Sequence, residues 1–123
     1  LGGKIGWVNE SQLNELINAA KSVWIQPLVE VHNEHELEIA LSADSEIIGI
    51  NHRNLKTFSV DTSLSIRLKP HIPSGKMVVA ESGIHSAKDV LPLKKAGINA
   101  ILVGEALVTA SDTTAKVKEL AGV

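Results

Sequence analysis

The stretch Met77-Val78-Val79-Ala80-Glu81-Ser82-Gly83 decides how this chain is read. An apolar, strand-forming run ends on a carboxylate and passes into a Ser-Gly turn, and the helical pattern of residues 86–96 follows at once. Parallel α/β proteins present their chemistry in this way. Side chains at the C-terminal end of a strand face the crevice where ligands bind, and a glycine just beyond lets backbone N–H groups approach an anion. One unit later the order recurs, with Ile101-Leu102-Val103 running into Gly104-Glu105. Two such turns in succession predict a phosphate site beside a catalytic acid.

Working outward, four apolar runs read as strands, at residues 27–31, 47–50, 77–80 and 100–103. Each is continuous rather than alternating, which predicts a sheet covered on both faces. Helical patterns lie between them. Residues 34–43 set Leu37, Ile39, Ala40 and Leu41 largely on one face, with Glu34, Glu36 and Glu38 solvated. Residues 63–69 are halted by Pro70 and Pro73, and residues 86–96 run from a Ser86 cap to Gly97. Residues 112–120 start at Asp112, and residues 11–21 form an amphipathic helix with Ser11 as cap. Strands alternating with helices predict the α/β class, built from parallel βα units with right-handed crossovers. Residues 1–9 make a poor strand, because glycines and Lys4 interrupt Ile5, Trp7 and Val8. The sheet therefore has four to five strands. With no linker-like tract, residues 1–123 read as one domain with an atypical N-terminal segment at 1–10.

Composition narrows the function classes. The chain has 123 residues, 44% hydrophobic and 21% charged, in the range of soluble globular proteins. A net charge of −2 supplies no footprint for nucleic acid or an anionic membrane. No apolar run approaches membrane-spanning length and no signal peptide is visible. The absence of cysteine removes thiolate chemistry and disulfides and fits a cytoplasmic setting. With two Trp, one Phe and no Tyr, the core has to be aliphatic. Trp7 and Trp24 read as packing residues, since no basic patch accompanies them.

The strand ends carry the chemistry. Glu30 closes the first clear strand, Asn51 the second, Glu81 the third and Gly104-Glu105 the fourth, the same structural position in successive units. Parallel strands gather such positions on one rim. Glu81, behind Val78-Val79-Ala80, is the carboxyl best placed for a raised pKa and proton transfer; its structural alternative is a salt bridge to a neighbouring strand. Glu30 either orients a partner or serves the fold. Asn51 offers a donor and an acceptor to a substrate hydroxyl, and Arg53 faces either a substrate carboxylate or Glu30. Backbone N–H groups near Gly83 and Gly104 suit a phosphate. The five histidines are scattered; His32 with His35 lacks a third ligand, so no metal site is read, and His52 reads as a surface residue.

These segments resemble the C-terminal half of indole-3-glycerol-phosphate synthase, a tryptophan-pathway (β/α)8 barrel. The matching motifs, in order, are Pro27-Leu-Val-Glu-Val-His32, Ile47-Ile-Gly-Ile-Asn51 continuing through Arg53-Asn54-Leu55, Val79-Ala-Glu-Ser-Gly-Ile84 and Leu102-Val-Gly-Glu-Ala-Leu107. The resemblance runs from about Ser11 to the C-terminus and implies a half (β/α)8 barrel whose clear strands are the family's fifth to eighth. It implies ring closure, decarboxylation and dehydration of a carboxyphenylamino-deoxyribulose phosphate without a cofactor. By the same likeness Glu81 is the acid–base group and Glu30 a supporting carboxylate. Asn51 and Arg53 contact substrate, Ser82 lines the pocket, and Gly83 with Gly104-Glu105 holds phosphate.

The departures are equally informative. The family's barrel is about twice as long, and its general-acid lysine and a further active-site lysine lie on earlier strands that this chain lacks. His52 stands where an asparagine is common. A half-barrel with open edges is expected to self-associate or to pair with a complementing N-terminal half. It is also expected to keep phosphate or sulfate affinity while turning over negligibly alone. The rival reading is a non-catalytic, self-associating scaffold or folding fragment whose motifs are idle. A different phosphosugar barrel enzyme is disfavoured by residues 51–55.

Overall fold

The computed structural model describes residues 9–123; whether residues 1–9 pair as a strand turns on residues 1–8, which lie outside the described residues. Along the chain run α1 (Glu10–Ser22), β1 (Leu28–Val31), α2 (Glu34–Ser42), β2 (Ile47–Asn51), α3 (Leu64–Leu68), β3 (Met77–Glu81), α4 (Ala87–Lys95), β4 (Ala100–Leu102), α5 (Glu105–Val108) and α6 (Thr113–Ala121). The strands form one parallel sheet in the order β1-β2-β3-β4. Every strand thus pairs with its sequence neighbour, each crossover carrying a helix, which is the connectivity of half a (β/α)8 barrel.

Strand parity divides the molecule. Val29 and Val31, Ile48 and Ile50, and Val78 and Ala80 all point to one face and are buried. There they meet Leu13 and Ile17 of α1, Leu37 and Ala40 of α2, Leu68 of α3 and Leu93 of α4. Burying a side chain of this size is worth about 1.5–3 kcal/mol, so this helix-covered face supplies most of the cohesion. The opposite parity is only partly covered: Val79, Asn51 and Glu81 are buried, but Leu28 is 38%, Met77 49% and Leu102 55% exposed. The expectation of a sheet covered on both faces is therefore corrected. Continuous apolar strands suit a barrel interior as well as a helix-packed face, and in a half-barrel the interior faces outward.

Helix ends follow local chemistry with some shifts. Asn9, not Ser11, caps α1, in a capping box with Gln12. Ser86 caps α4 in a box with Asp89, Asp112 caps α6, and Asn33 caps α2. The short α5 has no periodic signal of its own in the sequence. Trp24 does not pack: it sits in the left-handed region at φ 62° just after α1 and is 97% exposed.

The two faces predict different sensitivities. Ile48→Ala, on the buried face, is expected to lower stability by about 2–5 kcal/mol. Leu91→Ala, on the exposed side of α4, is expected to change it by less than about 0.5 kcal/mol. Urea unfolding followed by far-UV circular dichroism checks both.

Candidate active-site rim

The pairing of β2 with β3 builds the rim. Asn51 lies directly opposite Glu81, and Gly49 opposite Val79, so Asn51, Glu81 and Gly49 share the inner face. Glu30 pairs with Gly49, one step below the Asn51–Glu81 rung. Leu102 completes that rung on β4, leaving Gly104-Glu105 beyond it. The strand-end groups are therefore stepped rather than level, as the stagger of strands closing toward a barrel requires.

Asn51 is the hub. Its Oδ1 accepts from the Arg53 backbone N–H at 3.0 Å and from the Ser82 hydroxyl at 2.7 Å. Because a backbone N–H can only donate, Oδ1 must face it, and Nδ2 is left to donate to Glu30 Oε1 at 3.3 Å. Glu30, Asn51 and Ser82 are thereby joined across β1, β2 and the turn after β3. Glu30 also sits 3.2 Å from His32 Nε2, an ion-pair distance without hydrogen-bond alignment. His32 Nδ1 meets Glu36 Oε2 at 2.9 Å, and the same oxygen accepts the His32 backbone N–H. Glu36, expected to be solvated, is half-buried for this reason.

Glu81 is 6% exposed, and its carboxylate lies over Gly49. A Cβ on Gly49 would run into Glu81 Oε2 and lie 2.7 Å from Leu28 Cδ2. A side chain at position 49 would displace the carboxylate from this position. Sequence reasoning passed over Gly49, although a glycine interrupting Ile-Ile-Gly-Ile is the ordinary sign of close approach within a strand.

The turn after β3 is held in an uncommon conformation. Ser82 and Gly83 both lie in the left-handed region, at φ 72° and 73°. For a residue with a side chain this costs on the order of 1–3 kcal/mol and persists only where surroundings impose it. Here they do: the Ser82 hydroxyl is held by Asn51 and its carbonyl by His52 Nδ1 at 2.9 Å. A Cβ on Gly83 would strike Val60 and Thr62 of the loop that leads to α3.

That loop folds back on itself. Asn54 N–H donates to Ser59 O and Asp61 N–H to His52 O, with an antiparallel bridge between Arg53 and Val60. Hydrogen bonds from Ser63 and Arg67 hold the exposed Asp61 carboxyl at about 2. Arg53 reaches Phe58 O at 3.4 Å; among the described residues no ion pair joins it to Glu30. Glu105 heads α5 in an exposed position, and Gly104 is its neighbour on the open side of β4, so neither belongs to the Asn51 network. A cleft of about 1050 Å³ between α2, this loop and α3 is walled by Asn51 and His52 but by neither Glu30 nor Glu81. It flanks the rim rather than forming it.

His52 is not the surface residue expected, being 2% exposed. Its Nε2 meets Ser65 Oγ at 2.6 Å and its backbone N–H donates to Glu81 O at 2.9 Å. Burial pushes the imidazole below its ordinary value, against the opposing pull of the Ser82 carbonyl and the Asp61 charge.

A parallel sheet in sequential order, helices on one face and a polar rim at the strand C-termini define half of a (β/α)8-type barrel. Solved structures agree on the fold. The Amycolatopsis orientalis BexX/CysO complex matches with a TM-score of 0.69 at 19% identity, over 93% of this chain and 47% of that one. The native KDPGal structure matches at 0.68 and 18%, over 89% and 52%. The sequence is more specific: a family model for indole-3-glycerol phosphate synthase matches residues 5–120. The chain belongs to the indole-3-glycerol phosphate synthase family. It is 46% identical over 110 residues to the enzyme so described from Campylobacter fetus, covering 89% of this chain and 43% of that protein. With the Sulfurimonas denitrificans enzyme it shares 45% over 113 residues, 92% of this chain and 43% of the relative. The chain spans less than half the length of these relatives.

The depressed His52 pKa has a signed consequence. Between that pKa and the unperturbed value of about 6.5, the unfolded chain binds a proton that the folded chain refuses. This contribution is complete above about pH 6.5 and lost as pH falls through the folded pKa. The His52 Hε1 resonance should titrate with a midpoint below 6.5, and unfolding free energy should decline in step on acidification. A midpoint above 6.5 would contradict the burial.

Proposed function

We propose that this chain supplies the C-terminal wall of an indole-3-glycerol phosphate synthase pocket, acting in tryptophan biosynthesis. The observation that carries the reading is the bonded line Glu30–Asn51–Ser82 with the buried Glu81 beside it, all on one rim. In this role Glu81 moves the proton during ring closure and dehydration, and Glu30, oriented by Asn51, provides the supporting negative charge. Asn51 and Arg53 orient the carboxyphenylamino-deoxyribulose phosphate. The turn at Ser82 and Gly83 faces its phosphate, and Gly104-Glu105 at the start of α5 extends that side. The overall change is that of a carbon–carbon lyase: a ring carbon bonds to the carbonyl carbon, and carbon dioxide and one water leave. No cofactor is called for.

The pocket's facing wall, with the family's lysines, belongs to strands that precede these in the relatives. The open inner face, where Leu28, Met77 and Leu102 are exposed, suits a complementing N-terminal half-barrel or a second copy of this chain. That same face supports the second reading, a non-catalytic, self-associating half-barrel scaffold. Among the described residues no helix is long and apolar enough to cross a membrane, and a cytoplasmic setting suits a phosphorylated substrate and a chain without cysteine.

The chain alone should bind inorganic phosphate weakly and form indole-3-glycerol phosphate at a negligible rate. Mixing it with a separately produced N-terminal half of a relative should restore turnover, and Glu81→Gln should reduce the restored kcat by about 10²-fold or more. Fast turnover by the unmixed chain would overturn the half-pocket reading; no recovery on mixing together with no phosphate binding would favour the scaffold. Light scattering at micromolar concentration should show an oligomer, which Met77→Lys shifts toward monomer because it charges the open face.

A further inference from the structure

We propose that His52 is a positioning residue that latches the Ser82–Gly83 peptide, and so sets the direction in which that turn offers its N–H. The inference rests on the reading of the turn as the phosphate side of the pocket, and it goes beyond that reading by naming what holds the donor in place.

Proton bookkeeping defines the ring. The Ser82 carbonyl can only accept, so His52 Nδ1, 2.9 Å away, carries the hydrogen. A neutral imidazole then has its lone pair on Nε2, and the 2.6 Å contact with Ser65 is a hydroxyl donating to the ring. Ser65 is fully buried on α3, and α3 lies against β2. One side chain thus ties a helix of the core to the left-handed turn after β3. The His52 backbone adds a second tie, donating to Glu81 O one residue earlier.

Planarity of the peptide converts this tie into a direction. The Ser82 C=O and the Gly83 N–H belong to one trans peptide plane and point opposite ways. With the carbonyl fixed on His52, the Gly83 N–H is aimed away from the ring. The Ser82 hydroxyl is held at Asn51, so hydroxyl and amide are oriented together. Among the described residues no other hydrogen bond is made to the Ser82 carbonyl, and Gly83 tolerates either sign of φ, so without the latch the peptide can flip. The flipped peptide would present a carbonyl oxygen where an anion is to bind.

The test separates the two ring nitrogens. In the unmodified chain, long-range ¹H–¹⁵N correlation at pH 7.5 should show His52 protonated at Nδ1 and bare at Nε2; the reverse tautomer would overturn the proposal. His52→Asn places an amide donor near the Nδ1 position and keeps the Ser82 bond. His52→Gln reaches toward Ser65 and leaves the Ser82 carbonyl without its donor. Affinity for inorganic phosphate, followed by amide chemical shifts, should stay within about threefold in His52→Asn and fall about tenfold in His52→Gln, the loss expected for roughly one misplaced hydrogen bond. Relaxation dispersion should report microsecond-to-millisecond exchange at residues 82–83 in the Gln variant only. Equal behaviour of the two variants would sink the latch. If the unmodified chain binds no phosphate, the phosphate reading fails, while the tautomer and the exchange contrast still decide the role of His52.

Discussion

Parallel pairing of β2 with β3 forces residues of equal parity onto one face, and both the core and the rim descend from that constraint. The odd and even halves of Ile47–Asn51 and Met77–Glu81 are assigned opposite fates by the pleat. Ile48, Ile50, Val78 and Ala80 go under the helices and provide the cohesion. Gly49, Asn51 and Glu81 go to the inner face and form the rim. A slip of one residue would exchange the two sets, burying the carboxylate among helices and exposing the aliphatic core. The cost of that exchange is why the register, and with it the rim, is well specified.

The same parity leaves the inner face unfinished. In a closed barrel the side chains of Leu28, Met77 and Leu102 would fill layers against opposite strands. Among the described residues four parallel strands form one open sheet, and these residues are exposed. The relatives are more than twice as long as the matched region. The groups of the rim take their order from neighbouring strands and loops of this chain. Asn51, for example, is oriented by the Arg53 amide and Ser82, all within this half.

Much of this was legible in the residues alone. The strand positions, the parallel order, and the caps at Ser86 and Asp112 follow from apolar runs and capping chemistry, which act over a few residues. Glu30, Asn51 and Glu81 could be picked as strand-end groups for the same reason. His52 was misread because nothing within a few residues of it announces burial; its partners, Ser65 and Ser82, are 13 and 30 residues away. Glu36 was misread because the helix pattern marks it as solvated, whereas its partner His32 lies before the helix begins. Trp24 looked like core by its chemistry, yet a left-handed residue directs it outward.

The sequence by itself determined the alternation of strand and helix, the polar residues at or next to the ends of the first three strands, and the family. These depend on periodicity and order, which a linear string contains in full. Tertiary structure alone decided that Glu30 stands one rung below Asn51 and Glu81, that Gly49 is the recess for a carboxylate, and that His52 joins α3 to the turn after β3. Each of those depends on inter-strand stagger or on packing across chain-distant segments. The Glu81-Ser82-Gly83 stretch locates the site; the residues that give it a shape come from β2, α3 and the loop between them.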